Sequence, residues 1–450
     1  MKRNTARRGS LLRRHRDFRL LWCGETAGKF GASVTGVAMP LVAVSTLHAG
    51  AFEVGMLSAA AWLPWLVIGL PVGAWVDRLR RRPVMMTAAA VACALFASVP
   101  VAAWCGLLST GLLLAVALLT GTATVFFQTA YTAYLPSILA PDDQAEGNAK
   151  LHGSASAAQV AGQGSGGLIT QAAGAVNGMF AQAATFLVAL LCLSGIRHRE
   201  PRAERTERRP GALVAEVGEG LRLIAGDPWL RTLTLFGAAS NLALMGYQAV
   251  LVIFLVQTVG LSPAAVGGLV AATGAGGVVG AFLARRAAVR VGTARATLLF
   301  EFGLALFALL IPLTTDGAGV VFFVAGGCCV SAGVVAGNVI KAGFQQRYCP
   351  PQLLGRVTAG STFLGYGTIP LGALLGGALG SALGLRAAIW ITTAGIPLAA
   401  VFLLCSPLRR VRDLPTSLQE PREGDGGGGG DGGDGGLSAA GEGEPALPRS

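Results

Sequence analysis

Two ionisable residues, Glu25 and Lys29, stand four positions apart inside an apolar stretch near the start of the chain. That spacing places both on one face of a helix. With a helix starting near Phe18, Lys29 lies about 16 Å along it, close to the middle of a bilayer. Charges at that depth are costly and tend to face a bundle interior or a cavity. The chemistry they permit is proton exchange: Glu25 would take up and release a proton, and Lys29 would tune it or meet an anionic group. A fixed ion pair that steadies the helix is the structural alternative. Glu301 is another acid within an apolar run, about 9 Å from the expected start of its helix and within reach of Arg295. Gln128, Tyr131, Asn241, Tyr247, Gln248 and Asn338 are polar groups on apolar segments, suited either to a cavity wall or to hydrogen bonds between helices.

These residues need helices that cross a membrane to position them. The chain has 450 residues, 53% hydrophobic and 13% charged, which is not a soluble composition. Apolar runs of about 20 residues recur almost to the end. Twelve segments are expected, at 18–47, 52–76, 84–104, 107–134, 151–174, 176–196, 229–258, 262–284, 295–314, 318–341, 357–383 and 385–405. The fold class is therefore an all-α membrane protein. The formal charge of +12 is a topology signal: of the 35 Lys and Arg, only Lys29 and Arg386 fall away from the inner loops, termini and helix ends. Loops rich in arginine remain in the cytoplasm, so both termini are expected there. No basic soluble domain is available to bind nucleic acid. The basic opening stretch reads as a retained first helix rather than a cleaved signal peptide. The eight cysteines suggest neither a disulfide framework nor a zinc site.

The domain plan has five parts: a basic N-terminus (1–17), a six-helix half (18–196), a polar linker (197–228), a second half (229–405) and a Gly/Asp-rich tail (406–450). The linker reads as solvated, with room for a surface helix, and the tail as disordered. A shift of 207 places Gly69, Gly73 and Arg78 on Gly276, Gly280 and Arg285, while Asp77 falls on Ala284. A shift of 210 places Gly162, Gly166, Gly167 and Gly174 on Gly372, Gly376, Gly377 and Gly384. Two pseudo-symmetric halves around a central site are a transporter architecture.

Gly73-Ala-Trp-Val-Asp77-Arg78-Leu-Arg-Arg81-Arg82 resembles the signature loop of the major facilitator superfamily, between its second and third helices. Arg16-Asp17-Phe18-Arg19-Leu20-Leu21-Trp22-Cys23-Gly24 and Tyr134-Leu-Pro136, followed by Pro141-Asp-Asp and Asn148, are similar to the branch with macrolide-efflux and siderophore-export proteins. The resemblance covers roughly residues 16–406. It implies that the first helix lines a central cavity. It also implies that Gly73, Asp77, Arg78, Arg81 and Arg82 form a latch toward the start of the eleventh helix, near Arg356. Gly162-Gln163-Gly164-Ser165-Gly166-Gly167 is similar to the glycine motif of antiporters, with Gln163 where proline is usual; small residues there also let helices pack closely.

The function expected is secondary export, by alternating access, of amphipathic small molecules such as drugs. A proton gradient drives it, with no cofactor and no metal, in a monomer of the bacterial plasma membrane. Its partners are the substrate and the lipid bilayer. An importer or a non-transporting sensor on the same fold is the alternative. There is no nucleotide-binding P-loop, metalloprotease motif or nucleophile elbow to support an ATP-driven pump or an enzyme.

Overall fold

The computed structural model describes residues 10–198 and 212–416, and no strand occurs among them. In lipid every backbone amide needs a partner within its own segment, so apolar runs of this length become helices. The helices are α1 (Arg16–Thr46), α2 (Ala51–Val67), α3 (Gly69–Arg78), α4 (Arg81–Trp104), α5 (Thr110–Ile138), α6 (Pro141–Ala173) and α7 (Ala175–Gly195). They continue with α8 (Ala212–Gly226), α9 (Pro228–Ile253), α10 (Pro263–Val291), α11 (Thr293–Leu298), α12 (Val320–Tyr348), α13 (Pro351–Leu383) and α14 (Leu385–Leu404). α9 runs on as a π turn at Phe254–Thr258. α11 continues through a π turn at Leu299–Gly303 and a 3-10 stretch at Ala305–Leu313. Starts are written locally: α6, α9, α10 and α13 begin with proline in their first turn, where its missing N–H costs nothing.

Ten helices among the described residues are long and apolar enough to cross a membrane. This is a multi-pass membrane protein. α2 is shorter, because the second expected segment breaks at Ile68, and α6, rich in Gly, Gln and Ser, is not among the ten. Several helices outrun their expected bounds. α12 extends to Tyr348, and Lys341 therefore stands within it as a third basic residue inside a span.

α1, α4, α5, α6 and α7 pack among themselves, with α2 against α5; α9 to α14 form a second bundle. The bundles meet where α2 lies along α13 and α6 along α10. A Cβ on Gly55 would lie 2.9 Å from Gly377 Cα, and one on Gly267 would lie 2.7 Å from Gly167 Cα. Only glycine permits backbones to cross so closely. Both crossings lie toward the end of the bundle opposite the arginine-rich loops.

The internal repeat is visible in the backbone. Gly174 and Gly384 end α6 and α13 with φ of 85° and 87°, a region glycine enters without penalty. Asp17 and Asp227, also 210 apart, both use carboxylate oxygens at helix ends. Asp17 accepts from the amides of Arg197 (3.3 Å) and His198 (2.9 Å), just beyond α7. Asp227 caps α9 by accepting from Trp229 (3.0 Å) and Leu230 (2.8 Å), and also accepts the Tyr348 hydroxyl from the end of α12.

Two boundaries change. The linker is not wholly solvated: α8 docks on α13, packing Ile224 in one cluster with Val357 and setting Gly220 against the Arg356 carbonyl, and Val217 is buried as well. Val217, Leu221 and Ile224 form an apolar stripe at helical spacing, which explains the docking. The tail is packed as far as Leu414, not free from residue 406. Leu408 and Leu414 are buried there, Ala294 donates to the Arg412 carbonyl (3.1 Å), and Thr293 donates its amide to Asp413 (2.9 Å). Residues 1–9, 199–211 and 417–450 lie outside the described residues.

Candidate functional site

A cavity of about 570 Å³ lies between the bundles, within the range of small-molecule sites. α1, α2, α4, α5 and α7 supply most of its wall, and α9 and α13 the remainder. Of the residues expected from sequence, Glu25, Lys29, Gln128 and Gln248 line it. Glu25 is 8% exposed, and its Oε1 is 3.4 Å from Lys29 Nζ. Gln128 donates to the same oxygen at 3.4 Å. One carboxylate oxygen thus faces both a cation and an amide, each at the long end of contact, which leaves room for a further group.

Four expected cavity residues lie elsewhere. Tyr131 is buried in the core of the first bundle, though near enough to sense the Glu25 charge. Tyr247 is buried in the core between the bundles. Asn241 donates across to the Gly365 carbonyl at 3.4 Å, the helix-joining role weighed for it above. Asn338 is exposed and outside the wall. Glu301 also stands away from the cavity, in the π turn after α11. Its carboxylate lies over Gly337 of α12, and the charge it faces is Lys341 rather than Arg295. Lys341 in turn reaches the face of α9 left open at Gly237.

The structure adds residues that the sequence did not single out. Trp62 and Trp65 of α2 surround Tyr366 of α13, with ring centroids 5.8 and 5.3 Å apart. Aromatic faces in this arrangement suit flat apolar or cationic groups. Gln182 of α7 is 2% exposed and reaches toward the space beside Gly31. Its Oε1 and the Oγ1 of Thr35 are buried without a partner among the described residues, and both residues line the cavity. An amide in an apolar run was the available signal for Gln182. The aromatic cluster joins residues about 300 positions apart, and no local pattern announces it.

The glycine motif divides its work. Gly162 and Gly166 lie against Phe30, Ser33 and Val34 of α1, whereas Gly167 makes the crossing to α10. The Gln163 carbonyl also borders Gly267, and its side chain approaches Gly274. At the arginine-rich end, Arg82 donates to the carbonyls of Leu193 (2.9 Å) and Ser194 (2.7 Å), capping α7. Arg78 is exposed and Gly73 faces open space. The Asp77 side chain lies outside the described residues. Arg356, near which the latch is expected to meet the eleventh helix, pairs with Glu219 of α8, and α8 rests against both α3 and α13.

Comparison with known proteins agrees with the two-bundle helical fold. The profile of the Major Facilitator Superfamily matches residues 21–373. The chain is 28% identical to the multidrug efflux pump Tap of Mycolicibacterium fortuitum over 409 residues, covering 88% of this chain and 96% of that one. It is 28% identical to the pump of that name from Mycobacterium tuberculosis H37Rv, covering 85% and 91%. Among solved structures it is similar to the nucleoside transporter NupG, with a TM-score of 0.71, 11% identity and coverage of 86% and 99%. A bacterial homologue of the iron transporter ferroportin in an inward-facing state gives 0.70 at 15% identity, covering 88% and 99%. The matched residues span both bundles and the cavity between them, and the chain belongs to the Major Facilitator Superfamily.

Proposed function

We propose that this protein is a twelve-segment, proton-coupled exporter of amphipathic organic molecules. The twelve are the ten long apolar helices together with α6 and the broken pair α2–α3. In this reading the arginine-rich loops and both termini face the cytoplasm, and the protein works as a monomer in a bacterial plasma membrane. The glycine crossings then lie on the outer side, and the cavity is loaded from within. A substrate of the kind carried by multidrug efflux pumps, the names borne by the curated relatives, suits this wall.

The observation that carries the reading is Glu25 on the cavity surface, its oxygen shared by Lys29 and Gln128. Ionised, Glu25 holds Lys29 or a substrate cation; protonated, it releases either. One carboxylate therefore exchanges a proton for a positively charged or polarised molecule as the cavity changes sides. The Trp62, Trp65 and Tyr366 faces receive the apolar body, and Gln182 and Thr35 offer acceptors to its polar groups. The latch proposed here runs from α3 to α13 by way of α8, which touches both. Glu301 and Lys341 act within the second bundle, outside the substrate route.

The test is drug-driven proton movement in proteoliposomes. Wild-type protein releases protons into the lumen or medium in proportion to substrate entry, and Glu25→Gln abolishes that coupling while retaining substrate binding. Normal coupling in the variant would remove Glu25 from the mechanism. Substrate accumulation driven by a proton gradient of the opposite sense would make the protein an importer.

A further inference from the structure

The boundary between α10 and α11 holds three arginines around one recess. Arg290 lies in the last turn of α10, Arg295 lies in α11, and Arg412 is delivered by the packed tail; Val291 and Leu299 complete the wall of an open recess of about 550 Å³. The recess is built rather than accidental. Gly292, with φ of 95°, brings the chain against the Arg412 backbone, and Arg412 Nη2 donates to the Arg290 carbonyl at 3.4 Å. Leu414 donates its amide to Thr293 Oγ1 at 2.7 Å, locking the tail in register.

The local charge is only partly compensated among the described residues. Among the described residues neither Arg290 nor Arg295 forms an ion pair with an acid. Asp413 is the acid at hand. It is held by the Thr293 amide and lies 3.9 Å from Arg412 Nε. The repeat explains the deficit: this loop is the second-half counterpart of the one carrying Asp77, and Ala284 stands at the position of that acid. The same place is a membrane boundary, since one apolar span ends at Val291 and the next begins at Thr293. Val289, Val291 and Leu299 are 74%, 39% and 53% exposed beside the guanidinium groups. Cations at headgroup level above exposed apolar side chains match one kind of ligand.

We infer that this recess binds the phosphate of an anionic phospholipid from the adjoining leaflet, its acyl chains lying against Val291 and Leu299. The arginines donate to the phosphate oxygens, and the lipid supplies the negative charge that Ala284, at the position matching Asp77, does not. Apolar flanks at the mouth distinguish this from a site for a free anion. The inference rests on membrane insertion alone and is independent of the substrate, the direction and the coupling ion.

Full-length protein in nanodiscs of phosphatidylcholine with a trace of labelled phosphatidylglycerol provides the test. The wild type is expected to retain the anionic lipid in preference to the zwitterionic one. R290Q/R295Q lowers that retention by about tenfold or more, while R409Q/R410Q, with the same loss of charge just outside the recess, leaves it unchanged. Equal loss in both variants would reduce the effect to general surface charge and overturn the site. Displacement of the label by inorganic phosphate at millimolar concentration would assign the recess to a free anion. Retention that appears only when residues 417–450 are removed would assign the arginines to the acidic tail of the chain itself. Equal retention of both lipids by the wild type overturns the proposal without reference to any variant.

Discussion

The second helix of each half descends from one repeat, yet the two copies are used differently. In the first half the segment is broken at Ile68 into α2 and α3, and a Cβ added at Gly69 or Gly73 would meet nothing within 4 Å. In the second half α10 is continuous from Pro263 to Val291. Its Gly276 and Gly280 are pressed on the backbones of Cys328 and Ala332 in α12. The same pair of glycines is therefore a contact in one half and an open face in the other. Cavity groups divide less sharply. Glu25, Lys29, Gln128 and Gln182 belong to the first half and Gln248 and Tyr366 to the second, while Glu301 and Lys341 of the second lie away from the cavity. In this contrast the second half offers the close-packed glycine contact, and the first carries the charged groups of the cavity.

Substitutions at matched positions can break that contrast. The largest effect is expected at Gly280→Val, which forces α10 off α12; overpacking of this kind costs about 3 kcal/mol. Gly73→Ala in the first half should be neutral or raise stability by about 0.5–1 kcal/mol, as replacing a helical glycine does. Thermal unfolding of the two purified variants would measure both, and equal losses would erase the distinction. Next in size is Gly167→Val with Gly377→Val, which separates the two crossings between bundles. A cysteine placed near His48 should then react faster with a membrane-impermeant thiol reagent; an unchanged rate would mean that these crossings do not seal that end.

A smaller effect separates the polar groups of the two halves. Gln182→Leu should weaken substrate binding about tenfold, corresponding to the 1–3 kcal/mol typical of a lost buried polar partner. Asn241→Leu, whose amide joins helices, should leave binding within about threefold, since such bonds in membranes average about 0.6 kcal/mol. Equilibrium binding to reconstituted protein distinguishes the two. The smallest is Glu219→Gln: both members of its pair with Arg356 are at least 40% exposed. The loss should stay below about 1 kcal/mol and fall as salt rises, which unfolding at two ionic strengths would record.

The long apolar helices and the repeat were legible because they are written in local composition: apolar length and glycines at a fixed offset. Glu25, Lys29 and Gln128 were legible for a similar reason, as polar groups stand out in an apolar run. What could not be read arises where helices distant in sequence meet. Tyr366 joins Trp62 and Trp65 only because α13 lies along α2. Lys341 was assigned to a helix end because polar residues follow it, but α12 projects beyond the apolar stretch to Tyr348. The docking of α8 was hidden by the charged residues before it, although Val217, Leu221 and Ile224 carry the stripe. Tyr131, Tyr247 and Asn338 show the converse limit: a polar group on an apolar helix has a direction, and sequence alone does not give it.

The two aspartates 210 residues apart set a schedule for assembly. Asp17 finds its partner amide 181 residues later, at His198, and Asp227 meets the Tyr348 hydroxyl after 121. At roughly 5–20 residues per second of synthesis, the first clasp stays open for about 9–36 s and the second for about 6–24 s. During the longer interval the first bundle stands in the membrane with its entry strand unfastened, still dependent on chain that the ribosome has yet to deliver. Its fastening point comes just after α7, so that half closes only when its last helix is complete. The second half is clasped before α13 and α14 exist, and those two helices are added to an already fastened frame.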